Sequence, residues 1–185
     1  MGNANNTPNA QGKGLVPLLS DLENFKPQAS PTRAPAQLLA EYFSSILVLS
    51  THFRFKPVAG KDYYLYLKQD NWQLSMIEPQ RWSQDRRGIY LGRCQLQPDM
   101  TWTIDVIEDI EQQPELQAAL RTFQQRLTEH LDSDIPIEQQ LPFYEASLPF
   151  YARLSATGLA KSLSASFAAH GMLQQASRKW LQASQ

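Results

Sequence analysis

Between residues 53 and 106 the sequence repeats short runs in which apolar and polar residues alternate, and turn-forming residues separate these runs. The run 62–68 is instead apolar on both faces, which is typical of a central strand. Side chains of a β-strand point alternately to opposite faces, so a two-residue period predicts strands rather than helices. Asp70-Asn71 is predicted to form a tight hairpin turn, because both residue types tolerate a left-handed backbone. The region therefore predicts an antiparallel β-meander of four to five strands. The predicted strands are 53–56, 62–68, 72–76, 89–96 and 101–106.

Helical periodicity flanks the strand region on both sides. From about Pro35 to Ser50, pairs of apolar residues recur every four residues, which predicts a helix with a wide apolar stripe. Proline suits the first turn of this helix, since its missing N–H would have no partner there. After residue 108, apolar residues recur at spacings of three and four, which predicts a helical extension whose last helix runs from about Gly158 to Leu181. The fold class is therefore predicted to be α+β.

The chain divides into three predicted regions. Residues 1–34 are predicted to be a largely disordered tail and linker, although the apolar residues between Leu15 and Phe25 could dock as a short helix or an extended arm. Residues 35–107 are predicted to form the α+β domain. Residues 108–185 are predicted to form the helical extension, which either packs on that domain or forms an interface.

Composition excludes several classes of protein. The net charge is −1, so a global attraction to nucleic acid or acidic membranes is absent. The first 97 residues carry 11 Lys+Arg and 7 Asp+Glu, whereas the remaining residues carry 6 and 11. Cys94 is the single cysteine, so no intrachain disulfide can form, and we expect a reducing, cytoplasmic location. No apolar run reaches the roughly 18 residues that a membrane span needs, so no membrane association is predicted.

The segment from Phe55 to Trp102 resembles a known family. The residues that carry the resemblance are Lys56-Pro57, Gly60, Tyr63-Tyr64-Leu65-Tyr66, Leu74-Ser75-Met76-Ile77, Pro79, Trp82, Leu91-Gly92, Leu96 and Asp99-Met100-Thr101-Trp102. In these residues the chain is similar to the uncharacterised family catalogued as domain of unknown function 2452. The opening Gly12 to Pro17 also looks like the start of bacterial members, and the residues after Glu108 look like an extension that eukaryotic members lack. The resemblance implies no activity, ligand or catalytic residue.

Residues suited to catalysis or metal binding do not form a recognisable motif. Cys94 is expected to be a buried structural cysteine in a strand, on the same face as Tyr90 and Leu96. His52, His130 and His170 lie far apart in the sequence and lack the spacing of metal ligands. We therefore predict no catalytic residue, no metal site and no cofactor.

Two other groups of residues could form binding surfaces. Basic and aromatic residues alternate between residues 81 and 93, a combination that suits phosphate contacts and base stacking. This group consists of Arg81, Trp82, Arg86, Arg87, Tyr90 and Arg93. The sequence Leu-Pro-Phe-Tyr occurs twice, at 141–144 and 148–151, and supplies aromatic side chains that could either anchor an interface or pack in the core. Its aromatic residues are Phe143, Tyr144, Phe150 and Tyr151.

Three hypotheses about function follow from these observations. The first is a non-catalytic intracellular module that binds a partner protein, with the aromatic-proline segment as its interface. The second is a module that binds RNA or an anionic ligand through the arginine cluster. The third is an enzyme whose site is dispersed in the sequence, for example a cleft that gathers Asp99, Asp105, Arg93 and a histidine.

Overall fold

A computed structural model describes residues 33–82, 88–143 and 145–184. The predicted tail before residue 33, together with Arg86, Arg87 and Tyr144, lies outside the described residues. In the described part of the chain, five α-helices and four strands follow one another, with 3-10 turns at Pro79–Arg81 and Ile110–Gln112. The elements are α1 Pro35–Leu49, β1 Asp62–Lys68, β2 Asn71–Ser75, β3 Ile89–Leu96, β4 Trp102–Val106, α2 Pro114–Leu131, α3 Ile137–Gln140, α4 Phe150–Ala169 and α5 Ser177–Ala183.

The four strands form one antiparallel sheet in the order β2-β1-β3-β4. This confirms the predicted α+β class. The order departs from a sequential meander, because β3 pairs with β1 instead of β2. Strands β1 and β2 form a tight hairpin in which Lys68 pairs with Asn71. Its two loop residues are Gln69 and Asp70, both with positive φ, so the turn lies one residue earlier than predicted.

A bulge in β3 changes which residues share a face of the sheet. Leu65 pairs with Gly92 and Tyr66 pairs with Tyr90, so Leu91 is an extra residue in β3. Cys94 pairs with Tyr63 on the face that packs against the helices, whereas Tyr90 lies with Tyr66 on the opposite face. The prediction that Tyr90 and Cys94 share a face was therefore wrong, because an inserted residue reverses the alternation.

The inner face of the sheet packs against α1 around Trp102. This side chain is fully buried, and its ring lies 5.7 Å from that of Tyr63 and 5.8 Å from that of Phe53. The Trp102 backbone N–H donates to Ser45 Oγ of α1 at 2.9 Å, and its indole Nε1 donates to Ser155 Oγ of α4 at 3.2 Å. Buried polar groups are costly without partners, and here both donors find hydroxyls. Trp102 thus joins the sheet to two helices.

The C-terminal helices pack on α1 through Trp180 of α5. The Trp180 ring meets Phe167 of α4 edge-on at 4.5 Å and lies 5.2 Å from Tyr42 of α1. Its Nε1 donates to the backbone oxygen of Pro35 at 3.1 Å. Sheet and helices therefore share one hydrophobic core. Among the helices that the structure describes, none combines the length and the apolar character that crossing a membrane requires.

Two element predictions were inaccurate. Residues 53–56 form no strand, although Phe53 is buried and its ring contacts Phe55. The helix expected from Gly158 to Leu181 begins eight residues earlier, at Phe150, and ends at Ala169, and Ser177–Ala183 form a separate helix. Pro149 occupies the N-cap of α4, where a residue without an N–H costs nothing, so the proline starts the helix instead of interrupting it.

Candidate binding surface on the outer face of the sheet

The outer face of the sheet, which points away from the helices, carries a cluster of aromatic rings. Tyr64 and Tyr66 reach this face from β1 and Tyr90 reaches it from β3, because alternate residues of a strand share a face. Trp82 follows the 3-10 turn at Pro79–Arg81 and meets Tyr66 edge-on, with 5.8 Å between ring centroids. We call these four residues the aromatic platform.

Tyr66 holds the aromatic platform together. Its side chain is fully buried although none of the described α-helices packs on this face, and the rings of Tyr90 at 5.4 Å and Trp82 lie against it. The Tyr66 hydroxyl donates to the backbone oxygen of Ile77 at 3.0 Å, which ties the segment after β2 to the same ring. Tyr64 lies 6.3 Å from Tyr90, and both rings are partly exposed. The Tyr90 ring therefore packs on the buried ring of Tyr66, and the Tyr64 ring lies beside that of Tyr90.

Arg93 lies beside the aromatic platform between two aspartates. Its Nη2 and Nε donate to Asp105 Oδ2 on β4 at 2.7 and 3.2 Å, and its Nη1 lies 3.6 Å from Asp62 Oδ2 on β1. These hydrogen bonds raise the pKa of the already basic Arg93 guanidinium. Gln95 donates from Nε2 to the other oxygen of Asp62 at 2.5 Å. Arg93 is thus positioned by its neighbours while half of its side chain stays accessible.

The charge around the aromatic platform is mixed. Desolvation raises the pKa of Tyr64, and the nearby carboxylates of Glu78 and Asp62 raise it further, while Arg93 and Arg81 act in the opposite direction. Burial is also the main cause of the raised pKa of Tyr90. Among the described residues of this surface, three carboxylates face two guanidinium groups. In the described part of the predicted arginine cluster, carboxylates therefore pair with Arg93, and the charge around Tyr64 is mixed.

The structure brings four residues of the predicted arginine cluster to one surface. Arg81 is exposed, Trp82 and Tyr90 belong to the aromatic platform, and Arg93 lies beside it. Arg86 and Arg87 lie outside the described residues. Tyr64, Tyr66 and Asp62 were missed as members of this surface. The signal was present in the alternation of Tyr64 and Tyr66 within β1, but a strand with apolar residues on both faces is equally typical of a buried one.

The aromatic-proline segment divides between surface and core. Phe143 and Phe150 are 41% and 44% exposed, whereas Tyr151 is partly buried against the core and touches Phe150 edge-on at 5.2 Å. Tyr144 lies outside the described residues. Within the described residues, no ring contact joins Phe143 to Phe150. These two rings are exposed, but they do not form a continuous platform.

The remaining candidate groups do not assemble into a catalytic site in the described part of the chain. Cys94 is buried, and burial raises the pKa of its thiol to about 12, so the nucleophilic thiolate is disfavoured. Asp99 is buried and paired with Arg33 and Thr101, apart from the Arg93 network on the outer face. No group of three metal-ligating side chains occurs among the described residues.

The histidines have separate surroundings. His52 follows α1 with a left-handed backbone, and His130 lies in the last turn of α2, where its backbone oxygen accepts a hydrogen bond from Gln140. His170 Nε2 lies 2.6 Å from the backbone oxygen of Arg33. The dispersed site proposed from sequence is therefore not assembled by the described residues named for it.

The fold and this surface define a class of protein: an α+β module whose antiparallel sheet is covered by helices on one face and carries an aromatic surface on the other. The sequence model of the family described as "Protein of unknown function (DUF2452)" matches residues 36–127. That segment belongs to this family, as the resemblance predicted. The match reaches beyond Glu108 through most of α2, so the family unit includes part of the predicted extension. No curated protein and no solved structure matches the chain.

Proposed function

We propose that this protein is a non-catalytic binding module that contacts a partner protein through the outer face of its sheet. The observation that carries the proposal is the aromatic platform with Arg93 fixed beside it. Tyrosine, tryptophan and arginine are the residues most enriched among those that dominate binding energy in protein interfaces. A ring that is already held by its neighbours loses little conformational freedom on binding, which favours affinity.

The surroundings of the aromatic platform extend this argument. Met76 and Ile77, which follow β2, are 55% and 43% exposed, and the Ile77 backbone contacts Tyr66. Exposed apolar side chains next to aromatic rings and bordered by charged groups are typical of interaction sites. Asp62, Arg93 and Asp105 would form part of the polar rim.

Binding of RNA or another polyanion is the alternative for the same surface. Aromatic rings beside arginines favour it, because bases stack on aromatic side chains and phosphates pair with guanidinium groups. The pairing of Arg93 with two aspartates disfavours it, since a phosphate would have to compete with carboxylates already in place. The mixed charge therefore favours a protein partner.

The test is affinity capture from native lysate with three forms of the protein. The first is the wild type, the second carries Tyr64→Ala and Tyr90→Ala, and the third carries Phe143→Ala and Phe150→Ala. The last variant is a matched control, because it removes two partly exposed rings from the aromatic-proline segment. Each capture is done with and without nuclease and at two salt concentrations, and circular dichroism checks that each variant is folded.

A partner protein that survives nuclease and is lost only in the Tyr64/Tyr90 variant supports the proposal. Truncation of two interface anchors costs about 2 kcal/mol each, which reduces affinity by roughly a thousandfold. Loss of the partner only in the Phe143/Phe150 variant would show that the interface lies on the aromatic-proline segment and would contradict the proposal. If capture requires nucleic acid and the captured amount falls steeply with salt, the protein-partner proposal is wrong and binding of a polyanion is supported instead.

A further inference from the structure

An open apolar groove lies between α1 and α2, on the side of the sheet opposite the aromatic platform. The volume of the groove is about 470 Å³. Leu39 and Phe43 of α1 form one wall, Leu120 and Phe123 of α2 form the other, and Ile104 of β4 contributes to the floor. None of the described residues that line it is charged.

The groove is a gap between elements that otherwise share the core. All five of these lining residues are partly buried, and they pack against buried core residues while they border the gap. Val106 at the end of β4 lines the same groove and is 46% exposed. A contiguous apolar surface of this kind is typical of a docking site.

We propose that the groove is the docking site of the protein's own segment 15–25. Large apolar residues in the 32 residues that precede the described part are concentrated in this segment. Leu15, Leu18, Leu19 and Leu22 follow the spacing of one helix face, with Phe25 three residues further on. Asp21 and Glu23 fall between the apolar positions, which gives the segment a polar side for solvent. This inference does not depend on the proposed function of the outer face.

The place where the described chain begins makes this docking possible. Arg33 is held by ion pairs with Glu41 and Asp99, just before α1, which forms one wall of the groove. Seven residues separate Phe25 from Arg33, and eight steps of extended chain span up to about 27 Å. The 15 residues of α1 measure about 22 Å along the axis. The linker can therefore place the segment anywhere along the groove.

The test measures amide hydrogen exchange of residues 15–25 in the full chain. The wild type is compared with Ala40→Glu, which introduces a charged side chain at an exposed residue that lines the groove. Ala165→Glu is the matched control, because Ala165 is an exposed alanine of α4 that does not line the groove. Val106→Glu approaches the groove from β4 and repeats the test independently of α1.

We expect exchange in segment 15–25 to be at least about tenfold slower than the intrinsic rate in the wild type and in Ala165→Glu. Exchange should return to the intrinsic rate in Ala40→Glu and in Val106→Glu. Intrinsic exchange in the wild type would overturn the proposal. It would also fail if protection persisted in both groove variants, since the segment would then dock elsewhere. Protection that rises with protein concentration would assign the groove to a second copy of the chain.

Discussion

Replacing Gly92 with alanine is expected to disturb the junction between β3 and β4. A Cβ atom at this position would lie 2.2 Å from the backbone oxygen of Asp105, 2.9 Å from its carbonyl carbon and 3.0 Å from Val106 Cα. All three atoms belong to the backbone of β4, so no side-chain rotation can relieve the contact. The strands must separate by about 1 Å, because close-packed interiors have few voids to absorb an added methyl group.

Three contributions set the magnitude. Overpacking in a tight interior costs about 1–3 kcal/mol. Weakened hydrogen bonds between β3 and β4 add about 1 kcal/mol for each bond. Alanine also restricts the unfolded chain, which offsets about 0.5–1 kcal/mol. We therefore expect Gly92→Ala to lower the free energy of unfolding by about 2–4 kcal/mol.

The assay is urea unfolding followed by tryptophan fluorescence, with Gly60→Ala as the control. Gly60 has a φ of +74°, but a Cβ atom added there would meet nothing within 4 Å, so alanine costs only the strain of a left-handed backbone. That strain is about 1–2 kcal/mol before the same offset. If Gly92→Ala lost no more stability than Gly60→Ala, the argument from close approach of the two strands would be refuted.

Two further predictions concern buried charge and ionisation. Arg33→Met should lower the free energy of unfolding by about 3 kcal/mol, because it removes a guanidinium that pairs with the buried carboxylate of Asp99. Arg178→Met should cost less than about 1 kcal/mol, because it removes an exposed ion pair with Asp134. Urea unfolding compares the two variants. The pKa of the Cys94 thiol is raised from 9.0 to about 12. The stability that the protonated, buried thiol contributes is therefore fully present below pH 9 and is lost as pH rises toward 12. The stability of the wild type relative to Cys94→Ala should fall by about 2 kcal/mol between pH 8 and pH 10.5, and a difference that stays constant would contradict a protonated thiol.

Local patterns in the sequence predicted most helices and strands of the fold, but they could not predict which strands pair with each other. The apolar runs at 62–68 and 89–96, each bounded by turn-forming residues, were sufficient to identify β1 and β3. The pairing of β3 with β1 joins residues as far apart in the sequence as Asp62 and Gln95, and a two-residue period contains no information about such contacts. Residues 53–56 alternate like a strand but find no partner strand, so their apolar side chains pack without a ladder.

The candidate surface was only partly predictable for a related reason. Arg81, Trp82, Tyr90 and Arg93 are close in the sequence, so their grouping could be read from it directly. Their electrostatic surroundings could not be predicted from the sequence, because Asp62 and Asp105 lie on two other strands and come close to Arg93 only through the register of the sheet. What looked like a basic cluster is therefore a mixed surface in its described part.

The aromatic platform also solves a structural problem of this fold. A four-stranded sheet with helices on one face leaves its other face to solvent, where large apolar side chains would favour aggregation. Tyr66 meets that problem by burying its ring under Trp82 and Tyr90 while its hydroxyl reaches the Ile77 backbone. Folding requires this central ring to be covered, and the ion pairs of Arg93 with Asp62 and Asp105 also join β3 to its two neighbouring strands. Tyr64, Tyr90 and Arg93 remain partly exposed on this surface, and the proposed binding function would use them.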